Sequence, residues 1–179
     1  MNIPFSPPDI TEEEIEAVAE VMRSGWITTG PKTKELERKM AEFTHTNRGV
    51  CLNSATSCME MALRLFEIGP GDEVIVPAYT YTASASVVCH VGATLRLVDV
   101  EKGTFHIDYA AVESMINENT KAIIPVDLGG VMVDYDRIRA IVESKKSLFR
   151  PSSKMQEALG HILILLILHM DMVLHRMER

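Results

Sequence analysis

The stretch GPGDEVIVPAYTYTASASVVCHVGATLRLVDV, residues 69–100, carries the architecture of the chain. Gly69-Pro70-Gly71-Asp72 has the composition of a turn, because glycine tolerates positive φ and proline fixes its own. Glu73 to Pro77 is then a short apolar run of strand character. Thr82 to Val91 mixes small and apolar residues over a helical length, and Thr94 to Val100 returns to strand character. Strand, helix and strand at this spacing form a crossover unit, and crossovers of this kind join parallel strands.

The alternation continues on both sides of this stretch. Upstream, Gly49 to Asn53 reads as a buried strand and Thr56 to Ile68 as a helix with Met59, Ala62, Leu63 and Phe66 inward. Downstream, Asp108 caps a helix running through Met115, Lys121 to Asp127 is a further strand, and Tyr135 to Ser144 a helix. Nearer the start, Thr11-Glu12-Glu13-Glu14 is a capping box leading into Ile15, Val18, Ala19 and Met22, with Gly25 placed to end that helix. Trp26 to Pro31 is a loop, and a second helix starts at about Lys34 with Leu36, Met40 and Phe43 on one face. The expected class is α/β, a mostly parallel sheet with helices on both faces.

The chain has 179 residues, 46% of them hydrophobic and 24% charged, as expected of a soluble domain with a sizeable core. A net charge of −7 without a Lys/Arg cluster argues against nucleic acid as a partner, since phosphate tracking needs clustered cations. Cys51, Cys58 and Cys89 are odd in number and lack metal-ligand spacing, and His90 and His106 have no paired partner, so reduced thiols, a cytoplasmic location and no metal site are expected. The N-terminus has neither the basic nor the apolar region of a signal peptide. The longest apolar run, Ile162 to Leu168, is far below the ~20 residues needed to span a bilayer, so no membrane association is expected.

Open parallel sheets bind ligands at the carboxyl ends of their strands. Three segments fall there. In Asn53-Ser54-Ala55-Thr56-Ser57 a strand gives way to a helix, whose free N–H groups and dipole favour an anion; plain N-capping by Ser54 or Thr56 is the alternative. Pro77 to Ser84 carries Tyr79 and Tyr81, either of which is an aromatic able to cover a planar cofactor or an ordinary tyrosine. Asp127-Leu128-Gly129-Gly130 puts a carboxylate at a strand end, to meet a ligand or to cap a turn. Trp26, the single tryptophan, fits a buried anchor, an interface contact or a site wall equally well.

Taken in order from about Ile3 to about Ser144, these segments resemble the DegT-type sugar aminotransferases, pyridoxal-phosphate enzymes of the aspartate aminotransferase fold. The motifs are Pro4 to Pro8, Gly25 to Pro31, NSATSCMEM at 53–61, GPGDEVIVP at 69–77, YTYTA at 79–83 and PVDLGG at 125–130. Each is weak by itself and the ordered set is specific. The resemblance implies that residues 1–159 form the N-terminal part of the family's large domain, which is incomplete here. It implies pyridoxal 5'-phosphate as cofactor, with Ala55, Thr56 and Ser57 holding the phosphate and Tyr81 stacked on the pyridine ring. It further implies a nucleotide-linked keto-sugar as substrate, glutamate as the usual amino donor, and a homodimer with Trp26 to Pro31 near the active site. Asp127 departs from the histidine common at that strand end in relatives.

The family's pyridine-binding aspartate and Schiff-base lysine do not align, so no catalytic residue is assigned. Lys145, Lys146 and Lys154 come too early and stand in a polar stretch expected to be mobile. Residues 160–179 are expected to be a non-native tail. A one-nucleotide slip turns Met170-Asp171, Met172-Val173 and Met177-Glu178 each into Gly. With leucine codons ending in G, the tail then reads Asp-x-Ala-Asp-x-Ala-His-Gly-(His/Tyr)-Gly-Ala, close to the missing motif. The expectation is an aminotransferase sequence cut short, inactive alone and prone to aggregate through unpaired strand edges. A non-catalytic fragment or interaction module is the alternative.

Overall fold

The computed structural model describes residues 8–129 and 131–168. The chain divides into two compact units between Asn53 and Ser54.

The first unit holds α1 (Glu12–Arg23) and α2 (Pro31–Thr44). The capping box forms as expected: the Thr11 hydroxyl accepts from Glu13 N at 3.2 Å, and the Glu14 carboxylate accepts from Thr11 N at 2.7 Å. α2 begins a turn earlier than Lys34, at Pro31. Proline's fixed φ suits a first helical turn, where its missing N–H costs nothing. The apolar faces of both helices are largely exposed, with Ile15, Val18 and Met22 all more than half accessible; within α2 only Ala41 is buried. Gly49 to Asn53, expected as a strand, has no regular structure. Cys51 N donates to the Glu37 carboxylate at 3.0 Å and Val50 is exposed. A strand exists only where a neighbour takes its hydrogen bonds, and none does so here among the described residues.

The second unit is the α/β body. β1 (Glu73–Pro77), β2 (Thr94–Val98), β3 (Thr120–Ile123) and β5 (Leu163–Ile164) form one sheet in the order β2-β1-β3-β5, and every pairing is parallel. β4 (Val126–Asp127) and β6 (Ile167–Leu168) make a second parallel pair. The strand expected from Lys121 to Asp127 is thus two strands. Pro125 cannot donate to a ladder, and the chain changes partner there, from β1 and β5 to β6.

Strand alternation divides the core. Val74 and Val76 face one side with Ala122 and Ile124, packed against Met59 and Leu63 of α3 (Ala55–Leu65) and Val87 and Val88 of α4 (Thr82–His90). Ile75 and Ile123 face the other, against Val112 of α5 (Tyr109–Met115) and Ile138, Ile141 and Val142 of α6 (Tyr135–Ser144). Leu63, Ile75, Ile123 and Ile138 are fully buried, each worth about 1.5–3 kcal/mol of transfer free energy. Helices cover both faces, as expected from the alternation.

The stretch holding Lys145, Lys146 and Lys154, expected to be mobile, contains a 3-10 turn (Lys146–Leu148) and α7 (Lys154–Leu159), N-capped by Ser153. Gln156 of α7 is 2% exposed and its amide donates to the buried Asp72 at 3.2 Å; Ser152 Oγ donates to the same carboxylate at 3.0 Å. A single buried glutamine in a polar segment produces no periodicity to read. Of the expected tail, Gly160 caps α7 in the left-handed conformation (φ 74°), Ile162 is 1% exposed, and β5 and β6 follow. Residues 169–179 lie outside the described residues, and with them the three glycine-yielding dipeptides.

Candidate active site

β1, β2 and β3 are parallel, so their carboxyl ends share one edge of the sheet. α4 starts at that edge directly after β1. α3 returns through the turn at 66–72 into the amino end of β1, so its own amino end lies at the carboxyl edge. α3 and α4 pack through Met59 and Leu63 against Val87 and Val88. Glu60 Oε2 also meets His90 Nδ1 at 2.9 Å, and Glu60 Oε1 takes two donors from Arg64 at 2.8 and 2.9 Å. These hydrogen bonds hold the Glu60 carboxyl below its ordinary range, that from Arg64 most strongly and that from His90 next.

At the head of α3, Ser54 is the N-cap. Its Oγ accepts from Ser57 N at 3.1 Å and lies 2.9 Å from Ser57 Oγ. Capping by Ser54 and an anion site are therefore compatible, because the cap satisfies one donor and leaves others. The N–H groups of Ala55 and Thr56 and the Thr56 hydroxyl have no hydrogen-bond partner among the described residues. They point the positive end of an 11-residue helix at the carboxyl edge.

Tyr81 occupies the N-cap position of α4 without capping it, and the residue is 72% exposed. The loop beneath it is fixed on both sides. Ala78 N donates to Val98 O at 2.7 Å, and Thr80 Oγ1 lies 2.9 Å from the buried Ser84 Oγ. The structure thus brings Ala55, Thr56, Ser57 and Tyr81 to adjoining helix ends on one edge. Tyr79 is separate from this group: its ring stacks on Phe105 at 5.3 Å.

Asp127 resolves to the turn-holding alternative. It is 1% exposed; Oδ1 accepts from Val133 N at 2.8 Å and Oδ2 from the Tyr135 hydroxyl at 2.6 Å. Burial, and next its bond to Asp127, push the Tyr135 phenol well above its ordinary range. Beside it, Asp134 N donates to Tyr109 Oη at 2.8 Å, and Arg137 stands 4.3 Å over the Tyr109 ring. The loop after β4 is therefore held by two tyrosine hydroxyls. Neither tyrosine stood out in the sequence, because their role depends on a carboxylate or a backbone group that only folding brings near.

Lys121 is nearly buried (3% exposed) near the amino end of β3, away from the site edge. Its ammonium donates to Glu118 O and sits 5.7 Å over the Phe149 ring, and burial lowers its pKa. In the first unit, Trp26 is exposed rather than a buried anchor: its indole N–H donates to Thr29 O at 3.0 Å and its ring lies over Gly30. Among the described residues no group of three His, Cys, Asp or Glu is gathered for a metal, and no helix is long and apolar enough to cross a membrane.

The profile of the DegT/DnrJ/EryC1/StrS aminotransferase family matches residues 8–149. Among solved structures, a protein from Streptococcus pneumoniae described as a sugar aminotransferase, known in PLP, PMP and apo forms, is 58% identical with a TM-score of 0.90 over 93% of this chain. DesV of S. venezuelae, solved with a ketimine intermediate, is 37% identical with a TM-score of 0.71 over 74% of this chain. A GDP-4-keto-6-deoxymannose-3-dehydratase holding a trapped PLP-glutamate geminal diamine is 25% identical with a TM-score of 0.73 over 78%. The chain spans 42%, 36% and 38% of the lengths of these three proteins. A parallel sheet covered on both faces, a helix N-terminus with free donors beside an exposed tyrosine, and this run of matches establish that the chain belongs to the DegT/DnrJ/EryC1/StrS aminotransferase family.

Proposed function

We propose that the chain supplies the phosphate- and ring-binding half of a pyridoxal-phosphate-dependent sugar aminotransferase site. The observation that carries this is the set of free donors at the head of α3, namely Ala55 N–H, Thr56 N–H and the Thr56 hydroxyl, next to the exposed ring of Tyr81 on the adjoining helix. A phosphate needs several convergent donors and a positive potential, and a helix N-terminus offers both. Ala55 and Thr56 donate backbone N–H groups to its oxygens, while Thr56 and Ser57 add hydroxyls. Tyr81 covers one face of the pyridine ring, which orients it and excludes water from that face. The cofactor, when bound, supplies the electron sink for amino transfer.

The substrate we propose is a nucleotide-linked keto-sugar, and the donor glutamate; the GDP-keto-sugar and glutamate named for one relative support both. We further propose a homodimer acting in the cytoplasm, and that the 179-residue chain alone does not transaminate, since no lysine is assigned to the Schiff base. The tail from Gly160 is read, as a proposal, as the product of a one-nucleotide slip. Sequencing the gene tests that: an in-frame counterpart of this tail in an intact relative removes the idea.

The functional reading is tested by titrating the purified chain with pyridoxal 5'-phosphate, followed by absorbance before and after borohydride. Reversible binding is expected, with nothing fixed covalently. Thr56→Ala is expected to weaken it about 10- to 100-fold, the effect of losing one hydrogen bond to a charged group, and Tyr81→Ala to weaken it as well. Binding indifferent to both substitutions would refute the site. A covalently fixed cofactor would refute the inactivity. No binding at all would favour the non-catalytic alternative.

A further inference from the structure

A second aromatic feature at the carboxyl edge is left unused by the site above. Tyr79 follows β1 and Phe105 follows β2, so both rings are presented by loops at the carboxyl ends of neighbouring strands. Their centroids are 5.3 Å apart at an interplanar angle of 19°, and yet the two residues remain 56% and 57% exposed. Rings of this size usually bury most of their surface.

The loop carrying Phe105 is not slack. Glu101 N donates to His106 O at 2.9 Å, Thr104 N and Thr104 Oγ1 both reach Glu101 O at 3.0 Å, and His106 N donates to Thr104 Oγ1 at 3.1 Å. Phe105 is thus held outward by a closed turn. Both signs of charge lie in the segment 99–102. Glu101 is paired with Arg137 at 3.4 Å, and Asp99 Oδ1 accepts from Val100 N at 2.8 Å. Lys102, in the same turn, has no ion pair among the described residues.

We propose that the Tyr79–Phe105 pair is a stacking platform for the base of a nucleoside 5'-diphosphate, with Lys102 meeting its phosphates. This rests on the proposed nucleotide-linked substrate and adds where its nucleotide part is held. Every base has a π-face, and aromatic stacking is worth about a 5- to 150-fold change in affinity per base. An open, pre-stacked pair offers its outer face without needing to rearrange. Lys102, a cation in the same turn as Phe105, complements a diphosphate, which neither an apolar peptide nor a lipid tail would use.

The test titrates the whole chain with UDP and with GDP, read by saturation-transfer NMR on the base protons, in parallel with the pyridoxal phosphate absorbance titration. Phe105→Leu, which keeps apolar bulk and removes the π-face, is expected to weaken UDP binding about 5- to 150-fold. Phe105→Tyr should retain binding, and Lys102→Ala should weaken it and flatten its salt dependence. Pyridoxal phosphate affinity should be unchanged in all three, which shows that they fold. Nucleotide binding unaffected by Phe105→Leu overturns the proposal. So does absence of UDP and GDP binding in a chain that binds pyridoxal phosphate, and that result leaves the cofactor reading intact. Loss of both ligands in the unaltered chain overturns both.

Discussion

Tyr135→Phe removes one atom, and its consequences follow from the Asp127 pocket. Asp127 is 1% exposed and, among the described residues, has two partners, Val133 N–H at 2.8 Å and the Tyr135 hydroxyl at 2.6 Å. The second is a short hydrogen bond to a charged acceptor, the kind worth about 1.5–3 kcal/mol. Its loss leaves a buried carboxylate with one donor among the described residues. At a urea m-value of about 2 kcal/mol/M, the unfolding midpoint should fall by about 1 M at pH 7. A pH arm makes the reasoning sharper. The Tyr135 pKa is raised by folding, so its neutral form is favoured in the native state and its stabilisation is complete below the ordinary phenol range. Above about pH 10 the unfolded chain releases this proton while the native chain keeps it, so the native state loses about 1.4 kcal/mol per pH unit. Phenylalanine has no such proton. The gap between the two proteins should therefore be largest near neutrality and shrink from pH 10 upward. Equal midpoints at pH 7, or a gap that stays constant between pH 9 and 11, would refute the assignment of Asp127 and Tyr135 as a pair that holds the loop after β4.

Other consequences can be checked separately. Leu63→Ala empties a fully buried position between α3 and the sheet and should cost about 3–5 kcal/mol in chemical denaturation. Ser152→Ala takes a donor from both Asp72 and Gln156, and amide exchange across residues 149–159 should speed up by about 10-fold or more while β1 amides stay protected. Gly30→Ala would place a Cβ 2.1 Å from Trp26 Nε1, so the indole must leave and lose its bond to Thr29 O, which should shift tryptophan emission without changing the far-UV spectrum. Thr11→Ala breaks the capping box and should reduce the stability of α1 by about 0.5–2 kcal/mol, read from its amide exchange.

Much of the second unit was legible because two periodicities dominate it. Val74, Ile75 and Val76 are apolar in succession, as a strand covered on both faces requires, and the structure places the first and third in one core and the second in the other. Asp108 and Ser54 cap the helices whose starts they mark, by bonds spanning three residues. Gly49 to Asn53 has the same apolar character as Glu73 to Pro77, yet only the latter lies between two neighbours. Composition measures what a strand prefers to bury, whereas pairing depends on a partner distant in the chain. The break at Pro125 is intermediate: the missing N–H was visible, while the change of partner was not.

The candidate site divides in the same way. The order of motifs, the anion-friendly head of α3 and an aromatic after β1 were present in the residues themselves, because helix ends and strand ends are local events. The choice between the two alternatives for Asp127 was not local. A carboxylate at a strand end serves a ligand or a loop according to which donors fold against it, and here Val133 N–H and the Tyr135 hydroxyl reach it first. The pairing of Tyr79 with Phe105, 26 positions apart, and the hold of Gln156 on Asp72 across 84 positions are likewise products of tertiary structure alone. Sequence by itself determined the alternation of elements, the family and the edge where a ligand site is proposed; folding decided which side chains at that edge are committed to the protein, since hydrogen bonds between distant residues form only when the sheet brings their strands together.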